Sequence, residues 1–191
     1  MCDEAVRQQQ ALERMAERQL AFGAETVMIF GIAGGNGLRH ADPKRIKRLY
    51  GVDVNASYLA ACRQRYPALS GTLYCICADL RGEVSLPHAE LLIANLLVEY
   101  IGCGRFTELV KQVAPKYVSC GIQLDAVGEG EKGFVSASPY LHIFDGLDVV
   151  HQAIPPAALT KALAEAGYRL INEQAELLPG EKRLLQLDFA L

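Results

Sequence analysis

The sequence contains no apolar run longer than a strand needs, so no segment is expected to cross a bilayer as a helix. No C-x-x-C pair occurs among its six cysteines, Cys2, Cys62, Cys75, Cys77, Cys103 and Cys120. The four histidines, His40, His88, His142 and His151, are scattered, and no metal site is expected. There is no excess of positive charge: the net charge is −3, which gives nucleic acid no electrostatic reason to bind. The only dense basic cluster, Lys44, Arg45, Lys47 and Arg48, is expected to be a solvated helix face. The opening Met1-Cys2-Asp3-Glu4 has acids and no apolar stretch, so no secretory leader is expected and the expected location is the cytoplasm. Without a leader a disulfide framework has little support, and Cys75 and Cys77, two apart in a strand pattern, read as small buried hydrophobes. No internal repeat or low-complexity linker divides the chain.

What is present is the composition of one globular domain: 191 residues, 51% hydrophobic and 21% charged. The expected domain is 1–191, with an N-terminal helix in 1–23 and an insertion at 125–154. The chain is organised around Thr26 to Gly37. Val27 to Phe30 reads as a buried strand, and Gly31, Gly34, Gly35 and Gly37 follow within seven positions. Leu38 then opens what reads as a helix. Strand, glycine loop and helix make the first half of a βαβ unit, in which the helix would aim its free N–H groups at a ligand over the loop. That helix must be short, because Asp42-Pro43 interrupts it; Pro43 could begin another turn through Arg48.

Residues 3–22 read as a helix with one apolar stripe, ended by Gly23, that packs on the sheet or covers the ligand pocket. Further strands are expected at 49–54, 72–78, 89–97 and 116–124. Helices are expected at Asn55 or Ser57 to Tyr66, at Arg105 to Val113, and from Pro155-Pro156 to Ala166. Residues 125–140 read as a glycine-rich loop and 139–150 as a mixed aromatic stretch. Tyr168–Leu177 and Arg183–Leu191 read as strands of a hairpin joined through Pro179-Gly180. The order implies an α/β fold: a seven-stranded, mostly parallel sheet with helices on both faces and a C-terminal antiparallel hairpin. Ligands in such sheets bind outside the C-terminal strand ends.

Polar residues fall at those ends. Asp53 ends strand two, where a carboxylate could accept from vicinal ribose hydroxyls; Asp79 ends strand three, where it could accept from an adenine amine. Asn95 ends strand four and would face the reacting end of the ligand, followed by Glu99 as a candidate general base and Tyr100 as a positioning group. His142 and His151 are further candidates. A turn or loop role is the alternative for each of these residues.

With these residues in place, the chain resembles the class I S-adenosylmethionine-dependent methyltransferases, a Rossmann-like family. The resemblance rests on Ile29-Phe30-Gly31-Ile32-Ala33-Gly34-Gly35-Asn36-Gly37, Gly51-Val52-Asp53-Val54, Ala78-Asp79-Leu80, Ala94-Asn95-Leu96 and the terminal hairpin. It covers roughly 24–124 and 155–191. It implies S-adenosylmethionine (SAM) as cofactor, with Ala33, Gly35 and Gly37 in the G-x-G-x-G positions. Gly31, Asn36, Val54, Leu80 and Asn95 would also lie against the cofactor, with Asp53 at the ribose and Asp79 at the adenine. Two positions depart from the family pattern: Ala33 replaces the first loop glycine, and Gly31 replaces an acid that helps hold the cofactor's amino group. The family's proline-containing motif for base amino groups is absent at Asn95-Leu96-Leu97-Val98, which points away from base methylation. The implied acceptor is a small molecule or a protein. Two other readings remain: a non-catalytic SAM- or nucleoside-binding protein on the same fold, and an NAD-dependent oxidoreductase. The second lacks the third glycine of its fingerprint, since His40 stands there.

Overall fold

The computed structural model describes residues 2–124, 152–180 and 182–191, with side chains from residue 6. In chain order the elements are α1 (Cys2–Leu20), β1 (Thr26–Phe30), β2 (Arg48–Asp53), α2 (Ala56–Arg65), β3 (Leu73–Cys77) and β4 (Leu91–Asn95). They continue with α3 (Val98–Val113), β5 (Tyr117–Leu124), α4 (Pro156–Glu165), β6 (Arg169–Leu177) and β7 (Arg183–Ala190). The strands form one sheet in the order β3-β2-β1-β4-β5-β7-β6. The first five run parallel, and β7 is antiparallel to both β5 and β6. The order reverses between β1 and β4, so the C-terminal ends of β1, β2, β3 and β4 share one edge at the switch point.

Side chains alternate between the two faces of each strand. Met28 and Phe30 of β1, Leu92 and Ala94 of β4, and Val118, Cys120 and Ile122 of β5 join the core under α3 and α4, which includes Phe106, Leu109, Leu159 and Leu163. Val27, Leu49, Leu91 and Ile93 face the other way, against Leu20, Leu38, Leu59 and Cys62. On that second face the half of the sheet made by β5 and β7 is polar, with Ser119, Gln123, Gln186 and Asp188 all buried. α1 covers it through a small apolar contact of Ala11, Met15 and Leu184 and through hydrogen bonds.

Local chemistry sets the element ends. Asn55 is the N-cap of α2, its Oδ1 accepting from the N–H groups of Ser57 and Tyr58, and Pro67 stops the helix. Leu96, at φ 53, turns the chain out of β4 earlier than its apolar run suggests. α3 starts at Val98, seven residues before the expected Arg105, but breaks at Gly102 (φ 76, ψ 157).

Three expectations are corrected. The helix after the glycine loop is a three-residue 3-10 turn, Leu38–His40. Gly37 enters it at φ 82 and Asp42-Pro43 follows it, so there is no helical N-terminus to bind an anion. The basic cluster is exposed but lies in a turn and the start of β2, not on a helix. Cys75 is only half-buried and Cys77 is exposed, because β3 is an edge strand. The expected 125–140 loop and the 139–150 stretch, with His142 and His151, lie outside the described residues. No helix among the described residues is long and apolar enough to cross a membrane.

Candidate functional site

The glycine loop crosses from the end of β1 toward β2, with the N–H groups of Gly31 and Ile32 donating to the Val52 carbonyl at 2.8 and 3.2 Å. Ala33 sits at φ 47, a left-handed conformation that costs an alanine more than a glycine. What holds it is Asp53: its Oδ2 accepts from the Ala33 N–H at 2.8 Å and its Oδ1 from the Asn55 N–H at 2.9 Å. One carboxylate therefore fixes the loop and the start of α2 together. Each of its oxygens keeps a further lone pair for a ligand hydroxyl. Val54, next along, is 65% exposed, an apolar surface beside the carboxylate.

The loop glycines divide by what surrounds them. Gly35 and Gly37 are buried. A Cβ on Gly35 would lie 2.7 Å from Tyr66 Cε2 and 2.8 Å from Cys62 Sγ, and one on Gly37 would lie 2.2 Å from Ala16 Cβ. These two serve the packing of the loop on α2 and α1. Gly34 has nothing within 4 Å of its Cβ position, so open space lies over the middle of the loop. Gly31 and Asn36 are exposed. The residues thus fit a nucleoside-type cofactor at 31–36, Asp53 and Val54.

Asp79 is differently placed. Its carboxylate accepts from Arg81 Nε at 3.0 and 3.2 Å, from Arg81 Nη2 at 2.8 Å and from the Arg81 N–H at 3.0 Å. These bonds hold its pKa below the usual carboxylate range. The carboxylate is occupied rather than open to an amine. Leu80 is buried in the core. The pair is half-exposed and stabilises the fold by less than ~1 kcal/mol. Arg81→Ala is accordingly expected to leave the melting temperature nearly unchanged; thermal denaturation of both proteins checks it.

Asn95 is at the end of β4, but its side chain turns onto α1. Gln19 Nε2 donates to Asn95 Oδ1 at 2.9 Å and Asn95 Nδ2 donates to Gln19 Oε1 at 2.8 Å. Glu99, in the first turn of α3, is 1% exposed rather than open to solvent. Its Oε1 accepts from the Gln123 N–H at 3.0 Å, and its backbone carbonyl accepts from the Gln152 N–H at 2.9 Å. Its Oε2 is buried with no hydrogen-bond partner among the described residues. Burial raises its pKa to about 7. Tyr100 is half-buried one residue on. Burial also pushes the Cys62 thiol up, to about 11, so it is no nucleophile. No group of metal-ligating side chains occurs among the described residues.

Gln19 and Arg81 were not singled out from sequence. Only Gln19 left a signal: it continues the spacing of Ala11 and Met15, all three at 0% exposure.

No protein-family model matches the chain, and no curated protein does. Solved structures do. Over 98% of this chain and 85% of its own, the magnesium protoporphyrin IX methyltransferase ChlM of Synechocystis PCC 6803, with S-adenosylhomocysteine bound, superposes with TM-score 0.70 at 12% identity. The methyltransferase domain of bacterial CtHen1 gives TM-score 0.70 at 15% identity, over 97% of this chain and 98% of its own. The N-methyltransferase NodS of Bradyrhizobium japonicum WM9, also with S-adenosylhomocysteine, gives 0.66 at 17%, over 96% and 85%. At such identities the likeness establishes the fold, which is that of the SAM-dependent methyltransferases.

Proposed function

We propose that the chain is a SAM-dependent methyltransferase acting on a small-molecule or protein acceptor. The observation that carries this is a methyltransferase fold spanning nearly the whole chain, with Asp53 holding a half-open loop at the switch point. In this reading the cofactor lies along Gly31, Ala33 and Asn36, with the backbone of Gly35 and Gly37 beneath it. Asp53 takes the ribose hydroxyls and Val54 lies against the adenine. Asp79 and Leu80 border the adenine, and Asn95 borders the methionine end. When bound, SAM supplies an electrophilic methyl group on a sulfonium, so the protein's part is to align the acceptor and accept a proton. Glu99 is the proposed proton acceptor: its pKa of about 7 lets it take a proton near neutrality, and acceptor binding would have to open its buried carboxylate. Tyr100 is the proposed positioning group. The net charge of −3 disfavours a nucleic-acid acceptor. A cytoplasmic location agrees with the free state of the five described cysteines.

A second reading, a non-catalytic binding protein on the same fold, draws support from the Asp79–Arg81 and Asn95–Gln19 pairs, which occupy two of the polar side chains at the edge. An oxidoreductase reading has only the glycine loop behind it, since the fold neighbours above are methyltransferases. Isothermal titration and label transfer together separate these readings. Methyltransferase and binding protein both predict micromolar binding of S-adenosylhomocysteine and none of NADH, and label transfer from SAM to an acceptor distinguishes them. Asp53→Ala is expected to weaken that binding at least tenfold, by losing both the ribose contact and the Ala33 anchor; unchanged affinity contradicts the ribose assignment.

A further inference from the structure

The buried polar residues under α1 form a directed chain. Ser119 Oγ gives its only proton to Asp188 Oδ1. Asp188 also accepts from Asn172 Nδ2 at 2.8 Å and from Gln186 Nε2 at 3.0 Å to each oxygen. A carboxylate with this many donors around it acts as acceptor only, which fixes the direction of the Ser119 hydroxyl. With its proton spent, Ser119 Oγ can only accept from a neighbour, and that neighbour is Gln19 Nε2 at 2.9 Å. The Gln19 amide therefore has one orientation: Nε2 toward Ser119 and Asn95 Oδ1, Oε1 toward Asn95 Nδ2. Turning it over would set its carbonyl oxygen against a hydroxyl with no proton to give. Asn95 is then fixed in turn, with one Nδ2 proton and one Oδ1 lone pair left over. Gln19, Ser119 and Asp188 are all buried, while Asn95 is half-buried at the strand-end edge. A chain of hydrogen bonds thus runs from a buried acid on β7 to Asn95 at the C-terminal end of β4.

We propose that Gln19, oriented by Ser119 and Asp188, is a positioning residue that fixes which way the Asn95 amide presents its remaining donor and acceptor to the methionine end of the cofactor. The inference rests on the cofactor reading above. Gly121 makes the room in which the pair forms: a Cβ there would lie 2.7 Å from Asn95 Oδ1 and 2.6 Å from Met15 Sδ. Gln19 acts through Asn95, so its effect must vanish when the Asn95 amide is gone.

The test is a double-mutant cycle on S-adenosylhomocysteine affinity, read by titration calorimetry, with melting curves on each protein. Gln19→Leu is expected to weaken binding about tenfold. In the Asn95→Leu background the same change is expected to have no further effect. Should Gln19→Leu not fold, Ser119→Ala removes the acceptor of Gln19 Nε2 and with it the link to Asp188, keeps both Gln19–Asn95 bonds, and is expected to weaken binding about threefold, again only while Asn95 is present. Unchanged affinity in the single variants, or losses that multiply in the double variants, overturns the positioning role. Absence of S-adenosylhomocysteine binding by the unaltered chain overturns the cofactor reading itself, and this role with it.

Discussion

Gly37→Ala is expected to destabilise the protein by about 3 kcal/mol, whereas Gly34→Ala, three residues away in the same loop, is expected to change stability by less than ~0.5 kcal/mol. At Gly37 two costs add. The backbone is at φ 82, where a Cβ is strained, and the new methyl would lie 2.2 Å from the Ala16 methyl, against ordinary contacts near 3.5 to 4 Å. Ala16 is on α1, which is pinned by Gln19 and by Arg14 and Arg18 to Glu176, so the helix cannot simply move aside. At Gly34 the added methyl meets nothing within 4 Å and the backbone is not left-handed. It does enter the space assigned to the cofactor. Gly34→Ala should therefore weaken S-adenosylhomocysteine binding while melting like wild type. Urea denaturation and calorimetry on the two variants check both halves. Equal stabilities would mean that α1 is not seated on the loop.

The second large effect is a pH dependence centred on Glu99. Its pKa in the folded protein is raised from 4.5 to about 7 by burial. Between those values the folded state binds the proton more tightly than the unfolded chain. The group's contribution is therefore fully present below pH 4.5 and is lost as pH rises to 7. A shift of this size corresponds to about 3 kcal/mol. Wild type is expected to lose about that much stability relative to Glu99→Gln between pH 4 and 8, the glutamine keeping an oxygen for the Gln123 N–H. Asp79, Glu90 and Glu176 have depressed pKa values, so their contributions run the other way and fall away only in acid. Taking the difference between the two proteins cancels them. A difference independent of pH would show that Glu99 is not the buried titrating acid described here.

The sheet was legible in the sequence because its signals are local. Apolar runs bounded by Gly, Pro and Asp marked the first five strands and β7, Asn55 announced its cap, and Pro179-Gly180 announced the hairpin that adds the polar β6. Boundaries moved where one backbone angle decides them, as at Leu96 and Gly102. The helix after the glycine loop did not form, although the strand–loop–helix pattern called for one, because Gly37 and Asp42-Pro43 leave it no length. At the site the positions were legible but the state of the side chains was not. That Asp53, Asp79 and Asn95 stand at successive strand ends follows from the pattern. That Asp79 is closed by Arg81, and Asn95 by Gln19, depends on which donors tertiary structure brings near. Gln19 reaches Asn95 across 76 residues and Ser119 across 100, and no local spacing encodes that.

In the proposed reading the adenosine end of the cofactor lies at the ends of β2 and β3, and Cys77 is placed to report it. Cys77 is exposed, stands in register with Asp53 and holds its Sγ 3.6 Å from the Val54 carbonyl, while Cys62 and Cys120 are buried. The measurement is the rate of Cys77 alkylation, followed by peptide mass, with and without saturating S-adenosylhomocysteine. The rate is expected to fall at least fivefold with the ligand and to be unaffected by NADH. A Cys77 rate unchanged by a ligand that calorimetry shows to be bound would put the cofactor elsewhere, away from Asp53 and Val54.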